Sequence, residues 1–253
     1  MAEDPALRRR IVAVSLKSYL GYAETLDWLA AAGRVCSQGT GAVEVVLLPS
    51  APALVPAVAL GRESGFAVGA QDLSDRPAGA YTGELPAALL AELGVTYAEI
   101  GHAERRYLFG ETPEVVLRKT AAAVEQGLIP LVCVGEGRLG DTAPAPLDDA
   151  VRESVYQLEE LLPQLPPEQP FVVAYEPVWA IGADQPAGVE HVRTVAAGLR
   201  QALVGFPAAR VIYGGTAGPG LFGQLGGTVD GLFLGRRAHD PAGLAAVLAE
   251  LGS

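Results

Sequence analysis

Short runs rich in Val and Ile recur along the chain, separated by longer stretches that mix Ala, Leu and Glu. Within the short runs apolar residues are consecutive instead of alternating, the pattern of strands buried on both faces of a parallel sheet. Eight such runs are present: Ile11 to Leu16, Val43 to Leu48, Phe66 to Gln71, Tyr97 to His102, Ile129 to Gly135, Phe171 to Glu176, Arg210 to Gly215 and Gly231 to Gly235. Between them lie helical segments, among them Tyr22 to Ala32, Glu114 to Gln126, Asp148 to Leu162 and Val189 to Leu203. The alternation predicts parallel βα units of the α/β class, and eight units close into a single (β/α)8 barrel, one domain over residues 1–253. An open doubly wound sheet is the rival, but no GxGxxG turn follows the first strand, where Ser15-Leu16-Lys17-Ser18-Tyr19 places a lysine. Gly137 to Pro146 and Pro163 to Pro170 read as surface loops, and the apolar run Ala51 to Leu60 is broken by Pro56.

Composition narrows the function classes. With 50% hydrophobic residues among 253, the chain can bury a substantial core. Its 18 basic against 29 acidic residues give a net charge of −11, which argues against a nucleic-acid or anionic-membrane surface. A small anion remains admissible through a local positive pocket. The two cysteines, Cys36 and Cys133, sit in apolar surroundings, so a disulfide framework is not expected and a reducing, cytoplasmic setting is. The N-terminal segment carries acids ahead of its arginines and too short an apolar run for a signal peptide. No apolar run approaches a membrane span.

In a parallel barrel the working face lies at the C-terminal ends of the strands. Here those ends carry Lys17, His102, Glu176, the pair Gly214-Gly215 and Gly235. Lysine, imidazole and carboxylate converging on one mouth suit proton abstraction beside the carbonyl of a phosphorylated substrate. Each residue alone also has a plainer reading: a solvated lysine, a capping histidine, a strand-ending glutamate, glycines that permit tight turns. The three histidines are far apart with no HExxH, and the cysteines form no CxxC, so neither a metal nor a cofactor is expected.

Two segments, GHAERR within Gly79 to Thr112 and AYEPVWAIG from Ala174 to Gly182, resemble the triosephosphate isomerase family, and the match extends along nearly the whole chain. The resemblance implies a TIM barrel in which Glu176 is the base that removes a carbon-bound proton. It implies that His102 is the neutral electrophile of this family, its pKa lowered at a helix N-terminus, and that Lys17 stabilises an enediolate. Glu104 would position the lysine, and Cys133 would lie near the base, where it also reads as core packing. Backbone N–H groups at Gly182, Thr216, Gly235 and Arg236 would hold the phosphate, helped by a helix N-terminus after the eighth strand. Pro177 to Ala187, including Trp179, Ala183, Asp184 and Gln185, would form a lid. The loop Gln71 to Glu84 resembles the family's interdigitating loop, in which Thr82 would reach a neighbouring subunit, implying a homodimer.

Departures from the family pattern cluster at the ligand. Ser15 stands where Asn is usual, Ala103 replaces the serine of GHSERR, Gly182-Ala183-Asp184-Gln185 replaces a Gly-Thr-Gly-Lys type tip, Thr216 replaces the serine of YGGS, and Arg236 follows Gly235 in place of a second glycine. The retained trio with a reshaped pocket and the GLFLGR ending resembles the branch that isomerises four-carbon erythrulose phosphates. Triose and L-erythrulose 1-phosphates are therefore both candidate substrates, the latter slightly favoured, with a non-catalytic phosphometabolite-binding barrel as the alternative.

Overall fold

A computed structural model describes residues 10–252. The segment on which the signal-peptide reading rests lies largely outside these described residues. Eight strands, β1 (Ile11–Ser15), β2 (Glu44–Leu48), β3 (Ala67–Ala70), β4 (Tyr97–Ile100), β5 (Ile129–Val134), β6 (Phe171–Tyr175), β7 (Ala209–Tyr213) and β8 (Gly231–Leu234), pair in sequence order as one closed barrel. All pairings are parallel, and β8 returns to β1 with Ile11 opposite Gly231. Closure there is tight: a Cβ at Gly231 would lie 1.6 Å from the Ile11 carbonyl oxygen, so only glycine fits the seam.

The longer helices follow the expected segments: α1 (Tyr22–Ser37), α5 (Pro113–Glu125), α6 (Leu147–Glu159) and α7 (Val189–Ala202). The remaining α2 (Leu54–Ser64), α3 (Ala87–Leu93), α4 (Ala103–Leu108), α8 (Leu221–Leu225) and α9 (Pro241–Gly252) had no distinct sequence signal. Pro56 does not break its segment, because it occupies the first turn of α2, where its missing N–H has no partner to lose. Apart from β2, which ends at Leu48 as the pattern suggests, each strand ends one or two residues earlier than that pattern. His102 thus lies beyond β4, as the N-cap of α4, and Glu176 lies one residue beyond β6.

Consecutive apolar residues in each strand feed two packed layers. Ile11, Ala13, Val46, Leu48, Tyr97, Leu131, Cys133, Val172, Ala174, Ile212 and Phe233 fill the barrel interior, while the alternate residues pack under the helices. At the N-terminal end the interior is closed by a polar triad: Arg210 donates to Glu44 (2.6 Å) and to the Tyr97 hydroxyl (2.8 Å), and Tyr97 donates to Glu44 (2.7 Å). The opposite end is left open for the site.

Candidate active site

A cavity of about 430 Å³ opens at the C-terminal ends of the strands, and Ser15, Lys17, His102, Glu104, Glu176, Gly182, Ala183, Asp184, Thr216, Gly235 and Arg236 all line it. Lys17 leaves β1 in the left-handed region, at φ 49°, a conformation held although lysine disfavours it. Two contacts over-determine it. The Gln71 side-chain amide donates to the Lys17 carbonyl (3.0 Å) and to that of Leu48 (2.9 Å), and the ammonium donates to Glu104 Oε1 at 2.7 Å. Burial presses the Lys17 pKa down, but the bond to Glu104 and the charges of Glu176, Glu104 and Glu99 outweigh it and leave the ammonium above its ordinary value.

His102 is buried, and its ring is oriented by its cap role: the backbone N–H of Glu104 donates to Nδ1 at 3.1 Å. An accepting Nδ1 puts the ring proton of a neutral imidazole on Nε2. Burial, opposed by the Glu176 charge, lowers the His102 pKa and so favours that neutral form. Nε2 lies 3.4 Å from Glu176 Oε2. That oxygen is buried and makes no hydrogen bond, so a strong acceptor is held without a partner beside the cavity. Ala103, where the family carries a serine hydroxyl, offers it none. Glycine makes room for the carboxylate: a Cβ at Gly214 would sit 2.5 Å from Glu176 Oε1 and 2.6 Å from its Cγ.

The segment Pro177 to Ala187 is docked across the mouth. Thr216, at φ 58°, points its hydroxyl at the carbonyls of Ala180 and Ala183, 3.0 Å from each, and the Ala187 N–H donates to the Tyr213 hydroxyl at 2.9 Å. At the entry to the segment Trp179 donates to Glu136 (2.9 Å), a fully buried carboxylate that also meets Tyr175 and His191. Arg236 donates to the Gly182 carbonyl and Arg237 to the Asp184 carbonyl, each at 2.9 Å. Pro177 precedes this anchored Trp179, while the Asp184 and Gln185 side chains are exposed.

Several expectations need adjustment. Beyond β8 the chain makes a three-residue 3₁₀ turn, Arg236–Ala238, too short to carry a full helix dipole. At Asp184 the backbone carbonyl, not the carboxylate, accepts from Arg237. Cys133 lies on the inner face of β5, buried beside Glu176, and burial pushes its thiol well above the usual range. Thr82 lies exposed on the loop that follows β3, free to meet a second copy as expected of it. Sequence reasoning missed Gln71 as a support of Lys17, Arg237 as a partner of the Asp184 carbonyl, and Glu99. Glu99 is 4% exposed on the inner face of β4, and its Oε2 and Ser15 Oγ are hydrogen-bonded at 2.9 Å. The signal available for Glu99 was an acid inside an otherwise apolar strand, Tyr97-Ala98-Glu99-Ile100.

Among the described residues no group of His, Cys, Asp and Glu is arranged to hold a metal ion, and no helix is long and apolar enough to cross a membrane. A protein-family model for triosephosphate isomerase matches residues 10–251. The chain is 44% identical to an L-erythrulose-1-phosphate isomerase of Pectobacterium atrosepticum, over 96% of both chains. It is 42% identical to a triosephosphate isomerase of Leifsonia xyli over 82% of this chain and 83% of that one, and 35% identical to one of Solibacter usitatus over 96% and 99%.

Proposed function

Because the chain belongs to the triosephosphate isomerase family, we propose that it is an isomerase moving a proton between adjacent carbons of a phosphorylated ketose through an enediolate. Glu176 takes the proton from the carbinol carbon next to the carbonyl, the electron pair moves onto the carbonyl oxygen, and His102 Nε2–H and the Lys17 ammonium stabilise the charge that develops there. Return of the proton from Glu176 to the former carbonyl carbon, with the histidine moving protons between the two oxygens, completes the exchange. Gly182, Thr216, Gly235 and Arg236 take the phosphate, and the docked lid excludes water that would otherwise compete for the intermediate. The observation that carries this reading is the buried, unpartnered Glu176 Oε2 set 3.4 Å from His102 Nε2 in the same cavity as Lys17.

Of the candidate substrates, L-erythrulose 1-phosphate is favoured over dihydroxyacetone phosphate. It offers the same phosphate, carbonyl and carbinol with one more hydroxymethyl group, and Ser15 and Ala103 are smaller than the residues the family usually places there. Comparing kcat/KM for the two ketoses tests the choice: a preference for the triose by several decades sinks the four-carbon assignment. Absence of solvent-deuterium exchange into either would support the binding-only alternative instead.

The same reading makes the chain one domain and the protein a cytoplasmic homodimer. Both cysteines are free and buried, which suits a reducing compartment. The loop carrying Thr82 is pinned at its base by Asp72 to Lys119 (2.5 Å) and by Asp75 to Arg118 (2.7 Å), yet residues 76–84 project exposed, including Tyr81. An ordered projection of this kind suits insertion into a second copy. Sedimentation as a monomer at micromolar concentration would contradict it.

A further inference from the structure

Glu99 has no part in the proton transfer described above, yet it sits directly beneath it. It follows Tyr97 on the inner face of β4, and among the described residues its side chain is hydrogen-bonded to Ser15, whose own position lines the cavity two residues before Lys17. The neighbouring ammonium is committed elsewhere, since Lys17 pairs with Glu104 at 2.7 Å. Besides Lys17, the ionisable groups facing Glu99 are Glu104 on α4, Glu176 beyond β6 and Cys133 on β5. A carboxyl so enclosed, without a cation of its own, keeps its proton. Burial first, then the Glu176 charge, pushes its pKa up to about 8 against the Ser15 bond and the Lys17 charge.

The state of Glu99 decides what Ser15 can offer. A serine hydroxyl has one proton to give. If Glu99 is anionic, that proton is spent on Glu99 Oε2 and Ser15 presents only lone pairs to the cavity. If Glu99 is protonated, it can donate to Ser15 Oγ, and the Ser15 O–H is released toward whatever oxygen lies beside Lys17.

We propose that Glu99 is a positioning residue that acts through Ser15, holding the serine hydroxyl as a hydrogen-bond donor to the substrate oxygens on which negative charge develops. This rests on the isomerase reading, and it adds a donor that the lysine–histidine–glutamate trio does not contain. Ionisation of Glu99 withdraws that donor and places a further negative charge beside Glu176.

The test uses Glu99→Gln, whose amide can still donate to Ser15 but does not ionise, together with Glu99→Leu, Ser15→Ala and the Leu/Ala double variant. With the better of the two ketose phosphates, wild type should lose kcat/KM above about pH 8, the limb set by Glu99. Glu99→Gln should keep neutral activity within about threefold and lack that limb. Glu99→Leu and Ser15→Ala should each lose about tenfold in kcat/KM, mainly in kcat, and the double variant no more than either alone. Binding of 2-phosphoglycolate, a phosphorylated carboxylate shaped like an enediolate, should weaken in parallel and can be measured without turnover. Superimposable pH profiles for wild type and Glu99→Gln, or full activity and full phosphoglycolate affinity in Glu99→Leu, would overturn the proposal. A wild-type protein inactive on both ketoses defeats the isomerase reading instead, and phosphoglycolate affinity across the variants still decides the role of Glu99.

Discussion

Replacing Glu99 by glutamine should change how the fold responds to pH, whether or not the protein has a substrate. An unfolded glutamate ionises near 4.5, whereas burial carries the native Glu99 up to about 8. Between those values the native chain holds one proton that the unfolded chain has released. Its contribution to stability is therefore intact below about pH 4.5, declines as pH rises, and is fully lost once pH passes about 8. The decline runs at about 1.4 kcal/mol per pH unit, and across the whole interval it amounts to at most about 5 kcal/mol. Glutamine cannot ionise, so the advantage of Glu99→Gln over wild type should grow steadily from pH 5 to 8 and then level off. Urea unfolding of both proteins at one fixed concentration, repeated across pH 5 to 9, measures that difference directly, because all other titrating groups are shared. A constant gap across the series would show that Glu99 ionises as an ordinary surface carboxylate, and both its protonation and its proposed influence on Ser15 would have to be abandoned.

Two further substitutions address the base. Glu176→Gln should lower kcat by about 10²- to 10⁴-fold, the usual worth of a general base, while leaving 2-phosphoglycolate affinity nearly unchanged; a small effect on turnover would move the base elsewhere. Gly214→Ala should fold normally, since its backbone is not in the left-handed region, but the added Cβ, 2.5 Å from Glu176 Oε1, must displace the carboxylate. A misplacement of about 1 Å is enough to reduce kcat by about 10²-fold, read from steady-state kinetics beside an unchanged melting curve. Wild-type turnover in Gly214→Ala would show that the base tolerates displacement.

The barrel was legible because its strands are buried on both faces, which leaves consecutive apolar residues such as Ile11-Val12-Ala13-Val14 where a half-exposed strand would alternate. The positions of Lys17, His102 and Glu176 followed from the same pattern, since strand ends mark the working face. Boundaries were less legible. Gly214 and Gly215 extend the apolar run of β7 in sequence, yet the ladder ends at Tyr213. The short α4 and α8 carry too few turns to show a helical period, and α9 is so uniformly apolar that its period is masked. Glu99, Gln71 and Arg237 stayed hidden for a different reason. Their roles depend on partners 84, 54 and 53 positions away along the chain, and no local pattern encodes such a meeting.

The two arginines that meet the proposed lid hydrogen-bond to its peptide carbonyls, at Gly182 and Asp184. Every amino acid supplies the same carbonyl. Substitutions at residues 183–185 can therefore alter the shape and charge that an incoming molecule meets without loosening the grip, so diversification of the tip is uncoupled from its anchorage. A directed-evolution library confined to those three codons would vary selectivity on a fastening that stays constant.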